Sequence, residues 1–538
     1  MKTIKQYICL LFLLLIVVTP AYSAFEASFR KLYKTYTLNE DGSMEERVYK
    51  ELKIFTHAAM NSKYGETFIV YNPEFQELKI NESYTIQKDG NKVVTPANAF
   101  VEVLPSFAAD APAYNNLKEM VVVHTGLELG ATIVLDYSIK TKATMCGELD
   151  VFTMIKELSP IEDFRLTVNV PESKKLNYEL LNSSAKPVVE VVNGVRTISY
   201  NLKNVKSRPY SYPVYSASVG IVQQVASGMM PAFTASTYES NAVALEVLKR
   251  QFVVGYGKVI ENKILEIKKE TGDDKNKLRM AINKFMTYLY SVKGQCGVSL
   301  SQAGYRVRPA SEVLLSMYGT RADLANLDNV LHRAAGLEAE IKVASVKASD
   351  INSVGLSGII AVLSDREMNT YANGWYADVQ DFMSVTDLNG DKSTLGIDKP
   401  ENPTKNIKTI EVNKDNSKEL SGGYIAVTIP DTHIAGTLYP YSANTSISEN
   451  MILPHELHCI MQYNVKLPES KKWIEKRNLK VSNEVGEVSI EYELSGDELK
   501  VIYTYNIDEQ LITKNNYRQF YSLMSECKDM NNYTLIFK

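Results

Sequence analysis

The sequence predicts a multi-domain α+β protein in which a unit of helices and strands lies between two β-rich regions, each expected to be an antiparallel β-sandwich-like domain. Three observations predict it. Apolar residues alternate with polar ones over short runs near both ends of the chain, the spacing of half-buried strands. They recur every three to four residues only in the middle, from about Tyr238 onward. The chain has 538 residues, several times the ~150 of a usual domain.

In chain order, residues 1–23 come first. Lys2 and Lys5 precede an apolar run from Ile8 to Val18, and small residues follow around Ser23 and Ala24. That is the layout of a secretory signal peptide, with cleavage near Ser23. The run is shorter than the ~20 residues needed to cross a bilayer, and no other stretch could cross one. Cys9 lies inside the run and away from the cleavage point, so no lipid anchor is expected. The mature chain is expected in the periplasm or at the cell surface.

Residues 24–237 read as strands and turns. Glu66–Tyr71, Ser83–Gln87 and Thr132–Ile139 alternate, and Asp89-Gly90 supplies a turn. Residues 238–387 are the mixed unit. Val243, Leu245, Val247 and Leu248 open a helical pattern, Ile260, Ile264 and Ile267 continue it, and Leu278, Ile282, Phe285, Met286 and Leu289 form another apolar stripe. Residues 388–422 are rich in Gly, Pro, Asn and Lys and read as a linker. Residues 423–538 return to alternation at Ser489–Leu494 and Lys500–Tyr505, with one short helix expected between Glu509 and Ser525. A hexapeptide recurs: Val170-Pro171-Glu172-Ser173-Lys174-Lys175 and Leu467-Pro468-Glu469-Ser470-Lys471-Lys472, each after a strand.

Composition narrows the function. Without residues 1–23 the chain has 57 basic against 63 acidic residues, a net of −6, which speaks against nucleic acid or an anionic membrane as partner. Cys146, Cys296, Cys459 and Cys527 are far apart and form no dense disulfide framework, though one or two bridges are open. No metal or cofactor is expected. Asp387 to Asp398 places oxygen ligands at alternate positions but has Lys392 where a calcium loop needs glycine. His455-Glu456-Leu457-His458-Cys459 has the wrong spacing for a zinc helix.

The most informative stretch is Gly319 to Ser345. Thr320 can cap a helix whose buried face carries Leu324, Leu327, Leu331 and Ala334, and Gly336 ends it. Leu337 to Ala344 then alternates as a strand. An ordinary helix–turn–strand unit satisfies that pattern. The wording also resembles the transglutaminase-like core of the papain-type cysteine superfamily. Gly319-Thr320-Arg321 stands where bacterial members have Gly-Asp-Cys, Leu331 to Ala339 matches the Leu-Arg-Ala-Ala-Gly-Ile-x-Ala that follows, and Pro309 to Leu314 matches the segment before the nucleophile. The order of pieces resembles secreted proteins of Bacteroides-type bacteria with an uncharacterised β-domain ahead of such a core.

The resemblance implies a papain/transglutaminase-like α+β core with a cysteine at a helix start, a histidine at the start of a later strand and an orienting acid. A thiol at a helix N-terminus is acidified by the unpaired N–H groups, and the histidine takes its proton. Here Arg321 replaces the cysteine and offers only donors. The histidine position falls near Ser357 or Gly358, and no histidine lies between His332 and His433. Asp378 matches the acid. The expectation is an exported, catalytically inactive transglutaminase-like protein that binds or assembles in the envelope, with Arg321 and Asp378 holding a peptide, cell-envelope fragment or anionic group. The competing expectation is an active cysteine amidase, peptidase or transglutaminase using Cys296, which sits in a Gly294-Gln295-Cys296 run like that of animal transglutaminases. A purely structural role of the β-domains is a third. Oligomeric state is not readable.

Overall fold

A computed structural model describes residues 25–207, 231–252, 257–364, 383–394, 404–429, 445, 451–452, 457–509 and 511–538. Residues 1–23, expected as a signal peptide, and Asp378, Asp398, His433 and His455 lie outside the described residues.

The N-terminal region is built from strands β1 (Ala27–Leu38), β2 (Met44–Ile54), β3 (Glu66–Tyr71), β4 (Gln76–Ile86), β5 (Lys92–Val94), β6 (Phe100–Val103), β7 (Lys118–Val123), β8 (Thr132–Thr141), β9 (Asp150–Met154), β10 (Ile161–Pro171), β11 (Asn177–Leu181), β12 (Val188–Val192), β13 (Val195–Val205) and β14 (Ala232–Ser236). Eight of them form one sheet in the order β12-β13-β10-β1-β2-β8-β4-β5, and two three-stranded sheets, β11-β14-β9 and β3-β7-β6, pack on it. Phe29, Leu32, Leu52, Phe164, Leu166 and Val168 of the large sheet meet Val151, Leu180 and Phe233 of the first small one. Ile69 and Val122 of the second meet Leu135. The layered architecture agrees with a sandwich, but the expectation of purely antiparallel sheets is corrected. β1 and β10 run parallel, with Leu32 opposite Phe164. Alternation of side chains reports which face is buried and carries no information on strand direction.

The middle of the chain contains α1 (Asn241–Lys249), α2 (Lys258–Thr271), α3 (Lys275–Val292), the short strands β15 (Gly294–Gln295) and β16 (Tyr318–Gly319), α4 (Ala310–Ser316) between them, α5 (Arg321–Ala334), and then β17 (Ile341–Val346), β18 (Ile359–Ser364) and β19 (Met383–Asp387). Ser240 and Asp274 cap α1 and α3 through their side-chain oxygens. The apolar stripes of α2 to α5 meet in one cluster that includes Ile264, Ile282, Leu289, Val313, Leu327 and Leu331. Val243, expected on the buried face of α1, is exposed, and Ala244, Leu245 and Leu248 are buried instead. β17 pairs antiparallel with both β18 and β19. The strand expected from Leu337 begins four residues later. Gly336 takes a positive φ of 81°, its N–H reaches the Arg333 carbonyl at 3.0 Å, and the Leu337 N–H reaches the His332 carbonyl at 3.0 Å. This is a Schellman ending, whose hydrophobic contact after the glycine is supplied by buried Leu337.

The C-terminal region holds β20 (Thr404–Ile410), β21 (Ser417–Glu419), β22 (Ile425–Thr428), β23 (Met451–Ile452), β24 (Leu457–Lys466), β25 (Leu479–Asn483), β26 (Gly486–Ser495), β27 (Glu498–Ile507), β28 (Leu511–Ile512), α6 (Tyr517–Lys528) and β29 (Thr534–Phe537). Part of the segment expected as linker is structured: β20 is the edge of the five-stranded sheet β20-β24-β27-β26-β25 and runs parallel to β24. Asn406 to Thr409 are exposed and Ile410 is buried, so the strand has no strong alternating signal to read. The sandwich expected here is also only partial. The sheet buries Tyr463, Val488, Val501 and Tyr505 against Tyr517, Phe520, Leu523 and Met524 of α6 and against the small sheet β21-β22-β29. Asp387 closes a solvated turn by accepting from Asn389 and Asp391 N–H groups at 2.8 and 2.9 Å. Among the described residues no cluster could hold a metal ion, and no helix is long and apolar enough to cross a membrane.

Candidate functional site

The start of α5 is built around a fully buried carboxylate. Thr320 caps the helix by accepting from the Asp323 N–H at 3.2 Å, and Asp323 returns the bond by accepting from the Thr320 N–H at 2.8 Å. This reciprocal capping box fixes the first turn. Asp323 also accepts from the Arg308 N–H at 2.7 Å and from the Tyr114 hydroxyl at 2.7 Å. Burial and the charge of Asp323 push the Tyr114 phenol above its ordinary value. A Cβ on Gly319 would stand 2.6 Å from the Asp323 Cβ, so only glycine lets the helix fold back over this corner. The corner is shared between regions, because Tyr114, Ala111 and Leu117 of the N-terminal region pack with Tyr318 and Val298.

Arg321 occupies the first helical position, half-buried. Its helix turn reaches the start of β18, since Ala322 and Ala325 share a cluster with Leu356 and Val362. Neither residue type is present at the two chain positions where the resemblance puts nucleophile and base: Arg321 stands at one, Ser357 and Gly358 at the other. Gly358 has no room for a larger side chain: an added Cβ would lie 2.4 Å from Val354 Cγ1 and 3.0 Å from the Val354 carbonyl oxygen. Asp378 lies outside the described residues, so its expected place beside Arg321 is not seen.

Cys296 lies next to this corner. β15 pairs parallel with β16, and the Cys296 N–H donates to the Gly319 carbonyl at 2.9 Å. Burial pushes its thiol up, and the nearby Asp323 charge adds to this against Arg308. That is the reverse of an activated cysteine. His332 is at the far end of α5, on the order of 16 Å from Arg321 at 1.5 Å per residue, with Nδ1 2.9 Å from the Asp328 carbonyl oxygen. His124 is bonded to Thr67 in the N-terminal region. Cys146, Cys296 and Cys459 are free thiols.

Sequence reading missed Asp323, Arg308 and Tyr114. Asp323 was within reach, because Thr320-x-x-Asp323 ahead of an apolar run is the capping-box pattern. Nothing local marks Tyr114, which arrives from more than two hundred residues away.

Comparison with known proteins was informative for structures and domains. Two domain families of unknown function match, DUF3857 over residues 40–209 and DUF3858 over residues 426–537. No curated protein matches. A crystal structure of a candidate protease from Parabacteroides distasonis is 33% identical and superposes with a TM-score of 0.73, covering 95% of this chain and 99% of that one. An M1 zinc metallopeptidase from Deinococcus radiodurans matches 33% of this chain and 39% of its own at 11% identity and a TM-score of 0.19, too low to inform the fold. The chain belongs to the same family as the Parabacteroides distasonis protein, with a DUF3857 domain on its N-terminal side and a DUF3858 domain at its C-terminal end.

Proposed function

We propose that the middle unit is a transglutaminase-like core without cysteine catalysis, and that the exported protein works by holding a peptide or peptide-like envelope fragment in the cleft at the start of α5. The observation that carries this reading is the guanidinium of Arg321 at the helix position where a catalytic thiol would be activated. The neighbouring thiol, Cys296, supports it, being pushed up by burial with an aspartate beside it. An arginine at a helix start also suits a carboxylate or other anion, which bonds both to the side chain and to first-turn N–H groups. The test is calorimetry of the mature protein with short acidic peptides and with peptide fragments of the cell wall. Binding by the wild type that weakens at least tenfold in Arg321→Glu is expected, and equal binding by both would end the proposal.

A second reading has its own observation. The Parabacteroides distasonis relative is described as a candidate protease, and Cys296 is one backbone hydrogen bond from Gly319. Under that reading the protein is a cysteine peptidase or amidase, and peptide turnover disappears in Cys296→Ala.

A further inference from the structure

The loop from β17 to β18 is gripped by the N-terminal region at three points. Glu179 of β11 accepts from the Ser349 N–H at 2.8 Å and the Ser349 hydroxyl at 2.7 Å. Thr234 of β14 donates its hydroxyl to the Ser353 carbonyl at 2.8 Å. Asp150, the first residue of β9, accepts from the Leu356 N–H at 2.7 Å, the Ser357 N–H at 3.1 Å and the Ser357 hydroxyl at 2.5 Å. The three strands are neighbours in one sheet. The fit at Asp150 is tight. Gly355 has φ 57°, and a Cβ there would come 2.4 Å from Asp150 Oδ1.

We propose that Asp150 is the positioning residue of the β17–β18 loop, setting where Ser357 and Gly358 stand at the edge of the cleft and making the release of that loop proton-linked. The geometry gives the reason. The carboxylate is buried and, among the described residues, is met by neutral donors, two amides and one hydroxyl. Asp150 is 8% exposed and borders a cavity of about 240 Å³, so an ionised carboxylate there keeps little of its hydration while the loop is seated. The ionisable groups facing it are Cys146 and Glu148 on its own loop, Tyr238 ahead of α1, and Tyr305 ahead of α4. Cys146, Tyr238 and Tyr305 are each pushed above their ordinary values by burial, so they do not change charge between pH 5 and 7. Glu148 is paired with Lys174 at 2.7 Å. Burial accordingly raises Asp150 to about 6, against the hydrogen bonds that lower it. A seated loop thus holds the proton that a released loop, with Asp150 in water, gives up.

The direction follows from linkage. With about 6 in the seated state and the ordinary 3.8 in the released state, seating is strongest below about pH 4 and weakens as pH rises toward 6 and beyond. Between pH 5 and pH 7 the seating equilibrium changes by about tenfold.

This inference takes from the proposed function only that Ser357 and Gly358 border the cleft, and its test needs no ligand, so either can fail alone. The experiment is hydrogen exchange at the Leu356 and Ser357 amides of the free full chain, corrected for the intrinsic pH dependence of exchange. Protection about tenfold higher at pH 5 than at pH 7 is expected in the wild type and a flat profile in Asp150→Asn. A pH-dependent profile that survives in Asp150→Asn would overturn the proposal. Should that variant fail to fold, carboxyl titration by carbon NMR in the wild type and in Ser357→Ala decides. A midpoint near 6 that rises further in Ser357→Ala supports the proposal, and a midpoint near 4 in the wild type overturns it.

Discussion

The helix edge and the strand edge of the middle unit are each held by a buried aspartate, and the contrast between them is instructive. Asp323 holds the start of α5, and Asp150 holds the start of β18. Both accept three hydrogen bonds, and both join the N-terminal region to the middle unit: Asp323 through Tyr114, Asp150 through Leu356 and Ser357. They differ in what balances the charge. Asp323 sits in the first turn of a helix, at the positive end of its dipole, and the Arg308 group that bonds to it is the backbone N–H. Among the described residues, the donors to Asp150 are neutral. Hydrogen-bond number does not decide how comfortably a carboxylate is buried; a compensating positive field does. The strand edge should therefore respond to pH.

The comparison can be broken in several ways. The largest effect is expected from Asp323→Ala, which leaves the Thr320 and Arg308 N–H groups and the Tyr114 hydroxyl buried without an acceptor. A loss of about 3–5 kcal/mol is expected in denaturant unfolding, and a loss below about 1 kcal/mol would show that the helix edge is not held this way. Next is pH. Because Asp150 is raised by folding, its contribution is complete below about pH 4 and fades as pH climbs past 6, a decline of up to about 3 kcal/mol. Unfolding curves from pH 4 to pH 7 should show this decline in the wild type and not in Asp150→Asn. Third, Gly358→His should cost about 1–3 kcal/mol by overpacking against Val354, and the double variant Arg321→Cys with Gly358→His should gain no peptidase activity. The smallest effect is Tyr114→Phe, about 1 kcal/mol, since Asp323 keeps its two N–H donors.

Much of the fold is legible in the residues wherever one face of an element is apolar. The stripes Ile260–Ile264–Ile267 and Leu278–Ile282–Met286–Leu289 become buried faces of α2 and α3. The hidden parts depend on distant partners. β20 looks like linker because its sheet covers little of it. The repeated hexapeptide makes the same point. In both copies the N–H of the first lysine closes a turn on the proline carbonyl, Lys174 to Pro171 and Lys471 to Pro468. Yet β10 runs through Pro171 opposite Val195, while β24 stops at Lys466 opposite Glu498, and Ser470 alone takes a positive φ of 61°. The local residues specify the turn, and the partner hairpin decides where the strand ends. Asp323 could be read from its capping box, whereas Asp150 could not be placed from the chain, because its loop partners lie about two hundred residues downstream.

The central claim is that a guanidinium stands where the sulfur would act and that the nearby thiol is passive. The direct measurement is the rate at which iodoacetamide labels Cys296 at pH 7, read by mass spectrometry of native and denatured protein. Labelling slower in the native chain than in the denatured one is expected, with no peptide turnover. Fast stoichiometric labelling of native Cys296 that denaturation abolishes, together with peptide turnover lost in Cys296→Ala, would contradict the account.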